Sequence, residues 1–174
     1  MKKVFLTVII TLVIIIATFT FYIYSGAYNI GQVSHDSFAK RLGTTVKEHS
    51  IRKRVKHITV PQMNDTAMFI IGFEHYNEMC STCHGGPGIR PDELSKGLYP
   101  SPPEFYKSDD MPKAVEAFWV IKNGIKFTAM PAFGPTHDDR KIWAITDFLL
   151  NKMNKMSPDE YRIWKKKYAG MDED

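Results

Sequence analysis

One five-residue segment constrains this chain more than any other. Residues 80–84 read Cys-Ser-Thr-Cys-His, and Cys80 and Cys83 are the only cysteines among the 174 residues. Two thiols three positions apart lie on the same side of a helix, where they can reach neighbouring vinyl groups of one porphyrin. His84 then stands beneath the iron as the proximal ligand. The spacing therefore predicts one covalently attached haem c.

Three other uses of the same residues are open at this point. A thioredoxin-like cysteine pair lies at a helix N-terminus, where the helix dipole lowers the thiol pKa. Here the cysteines end a helical pattern instead. A structural zinc site needs four ligands, and only His75 and His137 are candidates to complete one. A disulfide between cysteines three apart is strained in a helix. We favour the haem site.

A methionine in a proline-bounded loop is the candidate for the opposite side of the iron. Met130 precedes Pro131, which disfavours helical backbone at the residue before it. A Gly-Pro pair continues the loop. Because methionine opposite histidine raises the potential of a haem iron, Met130 is predicted as the distal ligand and His84 with Met130 as the metal-binding pair. Met111 and His137 are the alternatives.

With both segments in place, the chain resembles the class I c-type cytochromes, and among them the small single-haem membrane-anchored type. The resemblance runs from about residue 65 to residue 153. Besides the haem motif, four segments carry it: Gly85-Gly86-Pro87-Gly88, Leu98-Tyr99-Pro100-Ser101-Pro102-Pro103, Gly124-Ile125-Lys126 and Met130-Pro131-Ala132-Phe133-Gly134.

The resemblance implies an all-α fold, a class I cytochrome c-like helical haem domain, here with an N-terminal transmembrane helix. It also implies that Cys80 and Cys83 hold the haem, that His84 is proximal and that Met130 is distal. Ala129 departs from the family pattern, because many relatives have glycine at that position.

An uncharged stretch near the N-terminus predicts the membrane helix. Val4 to Tyr24 contains no charged residue, and its length as a helix, roughly 31 Å, matches a bilayer core. A signal peptide cleaved after Ala27 is the alternative, although a signal core is usually about 7–15 residues long. We predict a retained single-pass anchor over residues 1–24 in the cytoplasmic membrane. The haem domain then faces the periplasm or cell exterior, since by resemblance haem is attached there.

Three further domains follow the anchor in the predicted organisation. Residues 25–60 form a basic helical connector, residues 61–154 the haem domain, and residues 155–174 a short amphipathic helix with an acidic tail. The spacing of the apolar residues in the connector predicts one helical stripe that either packs against the haem domain or lies on anionic lipid. Its members are Phe38, Leu42, Val46, Ile51, Val55 and Ile58.

Glycine, proline and capping residues mark the helices of the haem domain. Asn64 or Asp65 begins the helix that ends in the haem motif. By resemblance, the last helix of the domain crosses this first helix near Gly72, with Trp143 or Phe148 packed there. Ser157 begins the tail helix with a capping box.

The charge distribution and the resemblance together give the expected function. Residues 34–60 carry seven Lys or Arg and two acids, whereas residues 61–154 carry nine and twelve, so the net +4 conceals a basic connector and an acidic haem domain. Such charges guide encounters with redox proteins. We expect a membrane-tethered single-haem electron carrier that cycles Fe(III)/Fe(II) between respiratory or dehydrogenase partners, with no enzymatic activity, small-molecule substrate or nucleic acid.

There are two alternatives to a free carrier. One is a haem subunit of a larger oxidoreductase complex, and the other is a gas-binding or peroxidatic haem protein with a labile sixth position.

Overall fold

The computed structural model describes residues 1–31, 37–108 and 110–168, and every named element in those ranges is helical. The predicted all-α class with an N-terminal apolar helix is confirmed. The eight α-helices of the described ranges are α1 (Lys2–Tyr24), α2 (Ser37–Arg54), α3 (Thr66–His75), α4 (Ser81–His84), α5 (Glu93–Lys96), α6 (Ala114–Asn123), α7 (Asp139–Asp147) and α8 (Pro158–Tyr168).

The chain separates into two compact units, Met1–His35 and Asp36–Asp174. The first contains α1, which is long and apolar enough to cross a membrane, a property that signal sequences share. The hydroxyls of Thr7 and Thr11 donate to carbonyls one turn earlier in α1. The polar groups of these side chains are therefore satisfied within the helix, as lipid would require.

The second unit is built around the crossing of α3 and α7. A Cβ on Gly72 would lie 2.0 Å from the carbonyl oxygen of Ala144 and 2.8 Å from the Cβ of Phe148. Only glycine allows this approach, so the predicted crossing at Gly72 is confirmed, and Phe148 is the side chain packed there. Trp143 stacks instead on Phe118 of α6, with ring centres 4.2 Å apart.

An aromatic cluster joins α8 to this core. The ring of Phe73 meets Phe148, Tyr161 and Trp164 edge-on at centre distances of 5.5, 5.1 and 5.5 Å. Such edge-to-face pairs add stabilisation beyond the burial of the rings. Tyr161 is 0% exposed, so the tail helix shares the core of the haem domain. The predicted boundaries at residues 60 and 154 stay predictions.

Side-chain caps fix the starts of three helices. The Asp65 carboxylate accepts from the N–H of Ala67 at 3.0 Å, and Asp138 accepts from Lys141 at 2.8 Å. Ser157 accepts from the N–H of Glu160 at 3.1 Å, which is one of the two bonds of the predicted capping box, and the Glu160 carboxylate accepts from Lys152. These caps satisfy N–H groups that have no partner inside the helix.

Asn64 has a different function from capping. Its backbone is in the left-handed region, with φ of 71°, and its N–H donates to both carboxylate oxygens of Asp147 at 3.1 and 2.9 Å. Asp147 is buried in α7 and also accepts from the amide of Asn151. This link ties the start of α3 to the end of α7.

The apolar residues of α2 do not form the single stripe predicted from their spacing. Ile51 and Val55 are each 8% exposed and pack toward α6, whereas Leu42 and Val46 are 54% and 59% exposed. A helix turns about 100° per residue, so residues nine apart point in opposite directions. The step from Val46 to Ile51 is five residues and turns the stripe by about 140°, so its second half lies on the other side of the helix.

Candidate functional site

The haem motif lies where a helical segment ends. After α3 the chain makes a π-helical turn over Tyr76–Cys80 and enters α4. It then stops at Gly85, whose φ of 67° favours glycine. The hydroxyl of Tyr76 donates to the carbonyl of Gly85 at 2.9 Å and closes this end. The cysteines are therefore at the C-terminal end of the helix, as predicted, and not at the N-terminus that activates thioredoxin-like thiols.

The two thiols have unequal surroundings. Cys80 is buried in the core cluster and Cys83 is partly exposed. Burial, with a smaller contribution from Cys83, raises the pKa of the Cys80 thiol to about 12. A thiol that stays protonated is a poor nucleophile for dithiol exchange. An apolar setting suits a thioether link better than a reactive thiolate.

The ring of His84 is fixed by the loop that follows α5. Its Nδ1 lies 2.8 Å from the carbonyl oxygen of Pro103, and because a carbonyl only accepts, Nδ1 carries the hydrogen. Phe105 stacks on the ring at a centre distance of 5.2 Å. Burial lowers the pKa of His84, partly offset by the bond to Pro103. The imidazole is therefore held neutral with the Nε2 lone pair available, as for a metal-ligating histidine.

Met130 lies on a short loop that is hydrogen-bonded at both of its backbone groups. Its carbonyl accepts from the N–H of Ile125 at 3.1 Å, and its N–H donates to the hydroxyl of Thr128 at 3.1 Å. The Met130 side chain is partly buried and packs against the core cluster. Gly124 makes the turn possible, since its φ is 65° and a Cβ there would lie 2.8 Å from the Met130 oxygen.

The same loop completes the end of α6. The N–H groups of Phe133 and Gly134 donate to the carbonyls of Ile121 and Lys122 at 3.0 and 2.9 Å. Carbonyls in the last turn of a helix otherwise have no partner in the helix. A Cβ on Gly134 would lie 2.8 Å from the Lys122 oxygen. The glycine quoted in the sequence motif is therefore needed for this close backbone approach.

Backbone strain in the methionine loop falls on Phe127 and not on Ala129. Phe127 has φ of 60°, and among the described residues the only other non-glycine residue with positive φ is Asn64. The Phe127 side chain is fully exposed. Ala129, the departure from the family pattern, therefore occupies ordinary backbone and needs no glycine.

Cys80, Met130 and His84, the last through Phe105, border one hydrophobic core. Cys80 belongs to the buried cluster, Met130 and Phe105 pack against it, and the ring of His84 stacks on Phe105. Met111 packs against the same cluster and stays an alternative ligand.

The alternative residues His75 and His137 contact each other. Their rings meet edge-on at 5.0 Å, and His137 also meets Phe133 at 5.7 Å. Within residues 1–31, 37–108 and 110–168, no group of three or more His, Cys, Asp or Glu is placed to hold a metal ion. The two histidines thus do not complete a four-ligand zinc site with the cysteines.

Sequence reasoning missed the support beneath the haem motif. A Cβ on Gly86 would lie 2.9 Å from Cζ of Tyr161, and one on Gly88 would lie 2.7 Å from the Cβ of Pro158. The start of α8 therefore fits into the glycine-rich segment that follows His84. Burial raises the pKa of Tyr161, so its phenol stays neutral. The only signal in the sequence was the glycine content of residues 85–88.

These residues fit a c-type haem. The donors are two thiols on one side of a helix end, a neutral imidazole held through Nδ1 and a thioether on a hydrogen-bonded loop. Haem proteins use this donor set, with the histidine oriented by a hydrogen bond from its other ring nitrogen.

Comparison with known proteins agrees with this chemistry. Residues 68–149 match the family model described as cytochrome c oxidase, cbb3-type, subunit III. Among curated proteins and among solved structures, no significant match to the chain is found. The matched region begins within α3 and ends just after α7, so it includes both the Cys-x-x-Cys-His motif and the methionine loop. The match supports a class I c-type cytochrome domain over residues 68–149, and c-type cytochrome domains are extracytoplasmic haem domains that transfer electrons.

Proposed function

We propose that this cytochrome is a single-haem electron carrier tethered to the outer face of the cytoplasmic membrane by α1. Cys80 and Cys83 attach the haem covalently, and His84 and Met130 bind its iron. The observation that carries the proposal is the hydrogen bond from His84 to Pro103, 2.8 Å long, which leaves Nε2 free to bind a metal. It occurs directly beside the only two cysteines of the chain.

The residues of the chain hold and shield the redox centre. The haem supplies a one-electron Fe(III)/Fe(II) couple when bound. Pro103 keeps the His84 ring in one orientation, and Thr128 holds the backbone of Met130. The buried aromatic cluster beneath the motif excludes water from the helix side. Ligands fixed in this way need little rearrangement when the charge on the site changes.

Covalent attachment is tested by acid extraction of the denatured protein. Colour should stay with the wild-type polypeptide and leave a variant in which Cys80→Ala and Cys83→Ala are combined. The single variants are the controls and should each keep one thioether. Colour that extracts from the wild type would show that the haem is not covalently bound.

Electron transfer without a free coordination site is tested by spectroscopy and redox titration of the wild type. We expect one reversible one-electron couple at positive potential, a near-infrared sulfur-to-iron band in the ferric state and no binding of carbon monoxide by the ferrous state. Binding of carbon monoxide would favour the gas-binding alternative.

The anchor is tested by extraction and by the N-terminal sequence. The support is the length and apolar composition of α1, with a mean hydropathy of 2.8 over its best window. An anchored protein keeps Met1 or Lys2 at its N-terminus and leaves the membrane only with detergent. A protein that begins near Tyr28 and is released by salt would refute the anchor and leave the electron-transfer proposal intact.

A second candidate is that the chain is a resident subunit of a larger membrane oxidase. The description of the matched family, an oxidase subunit, favours it. The haem site would be the same in both cases, so the distinction lies in association. Copurification of a second haem or copper protein in mild detergent, at constant stoichiometry, would support the subunit. A single-component protein would support the free carrier.

A further inference from the structure

One face of α2 packs against the haem domain. Ile51 and Val55 are buried toward α6, and Lys40 Nζ lies 5.8 Å from the ring centre of Tyr99. Val55 begins the 3-10 turn that directly continues α2, and on a helical wheel the three positions fall within about 60° of one another. This face fixes the helix to the same α6 from which the methionine loop emerges.

The opposite face of α2 is apolar and exposed. Leu42 precedes Ile51 by nine residues, and Val46 precedes Val55 by nine, so each points about 180° away from its buried counterpart. Leu42 is 54% and Val46 59% exposed. An apolar strip of this kind on a helix that is already docked is typical of a surface with a second partner.

A histidine and a lysine continue this strip toward the C-terminal end of α2. Lys53 and His49 fall on the same side of the wheel as Leu42 and Val46, and both are exposed. The only acid in α2, Glu48, lies well outside that side and pairs with Arg52 at 3.5 Å. The exposed face therefore combines apolar side chains with the positive charge of Lys53, which complements an anionic lipid surface.

We propose that the lipid face of α2, defined as Leu42, Val46, His49 and Lys53, lies in the headgroup layer of an anionic membrane. The inference rests on the anchor proposed above. Twelve residues separate α1 from α2, and an extended chain of that length reaches at most about 45 Å, so the tether keeps α2 within range of the bilayer surface. Because the other face of α2 is packed on α6, lipid binding gives the haem domain one preferred orientation.

Nitroxide labels on the full-length, haem-loaded protein test this directly. Single variants Leu42→Cys and Val46→Cys report on the lipid face, and Thr44→Cys, exposed on the other side, is the matched control. The protein is placed in nanodiscs of phosphatidylcholine alone or mixed with phosphatidylglycerol. Label collisions are then measured with oxygen, which concentrates in lipid, and with a water-soluble nickel chelate.

In the anionic discs we expect labels at positions 42 and 46 to gain oxygen collisions and lose nickel collisions, while position 44 stays accessible to nickel. Equal nickel accessibility at all three positions would overturn the proposal. Dipolar broadening between labels would also overturn it, since a second copy of the chain would then cover the face. The intact mass of the protein in the discs reports separately whether α1 was retained.

Charge removal provides a second, independent measurement. A basic residue near an anionic surface contributes about 1 kcal/mol, so Lys53→Gln should lower the ratio of lipid-bound to free label at position 46 about fivefold. Lys47→Gln, on the side of α2 away from the lipid face, should leave the ratio unchanged. Equal effects of the two variants would show that general charge, and not this face, governs the contact.

Discussion

The segment that carries His84 and the loop that carries Met130 are held by different kinds of contact. The His84 segment is packed from below by buried rings, with Tyr161 filling the space that a side chain at position 86 would need. The Met130 loop lies at the edge of the core and is held by backbone hydrogen bonds to the end of α6 and to Thr128. Burial of several rings stabilises more than a few hydrogen bonds worth about 1 kcal/mol each.

The difference indicates how each side responds to stress. A packed segment resists local opening until the core itself is lost, whereas a hydrogen-bonded surface loop opens at lower cost. We therefore expect the bond to Met130 to be the easier one to displace.

Loss of the two candidate ligands should have unequal consequences. His84→Ala should prevent accumulation of haem-loaded protein, because the packed side loses its bond to the iron. Met130→Ala should still give folded holoprotein, without the near-infrared sulfur band, and with a potential lower by on the order of 0.1 V, since axial ligands tune haem potentials over about 0.8 V.

Yield of covalent haem and a redox titration measure both variants. Equal loss of holoprotein would remove the proposed asymmetry. Survival of the near-infrared sulfur band in Met130→Ala would instead indicate that Met111 is the distal ligand.

Overpacking beneath the haem motif should destabilise the whole domain. In Gly86→Ala the new Cβ would lie 2.9 Å from the ring of Tyr161, which is 0% exposed. We expect a loss of about 2 kcal/mol in the free energy of unfolding, measured with denaturant on the holoprotein.

Gly97→Ala is the matched control, because its nearest neighbour would be 3.8 Å away. It should change stability by less than about 0.5 kcal/mol. A similar loss in both variants would show that the contact with α8 is unimportant.

Loosening the methionine loop should change ligand exchange more than stability. Thr128→Val removes the hydroxyl that accepts from Met130 N–H and donates to Ile125. A loss of about 1 kcal/mol in loop closure should strengthen binding of added imidazole to the ferric protein about fivefold.

Thr136→Val deletes a nearby hydroxyl whose bonds go to Phe133 and His137 instead. It should leave imidazole affinity unchanged. Identical affinities in the Thr128 variant and the wild type would argue that this hydroxyl does not hold Met130.

Relief of strain at the exposed tip of the loop should give the smallest effect. A left-handed conformation costs a non-glycine residue about 1 kcal/mol, and glycine adopts it without that cost. The free energy of unfolding of Phe127→Gly should therefore exceed that of Phe127→Ala by roughly the same amount. Ala129→Gly should have the opposite sign and cost about 0.5 kcal/mol, since its backbone is ordinary. Calorimetry of the three variants measures the order, and a more stable Ala129→Gly would contradict it.

Local patterns in the sequence were enough to locate the helix ends and the haem motif. Asp65 and Ser157 act as caps because a cap depends only on residues two or three positions away. Gly72 was identified by resemblance, and the approach of Ala144 explains why glycine stands there. The boundaries of the domains and the identity of the ligands stay predictions for the experiments above.

Other features were decided by contacts between distant parts of the chain. The hydrogen bond of His84 to Pro103 joins residues nineteen positions apart. Tyr161 packs against Gly86 although the two are far apart in the sequence. The two faces of α2 also became distinct only when α6 covered one of them. Residue spacing records which side chains share a face, whereas burial depends on which neighbour covers that face. The tertiary structure decides which neighbour covers each face, because packing brings together residues whose separation in sequence shows no periodic pattern.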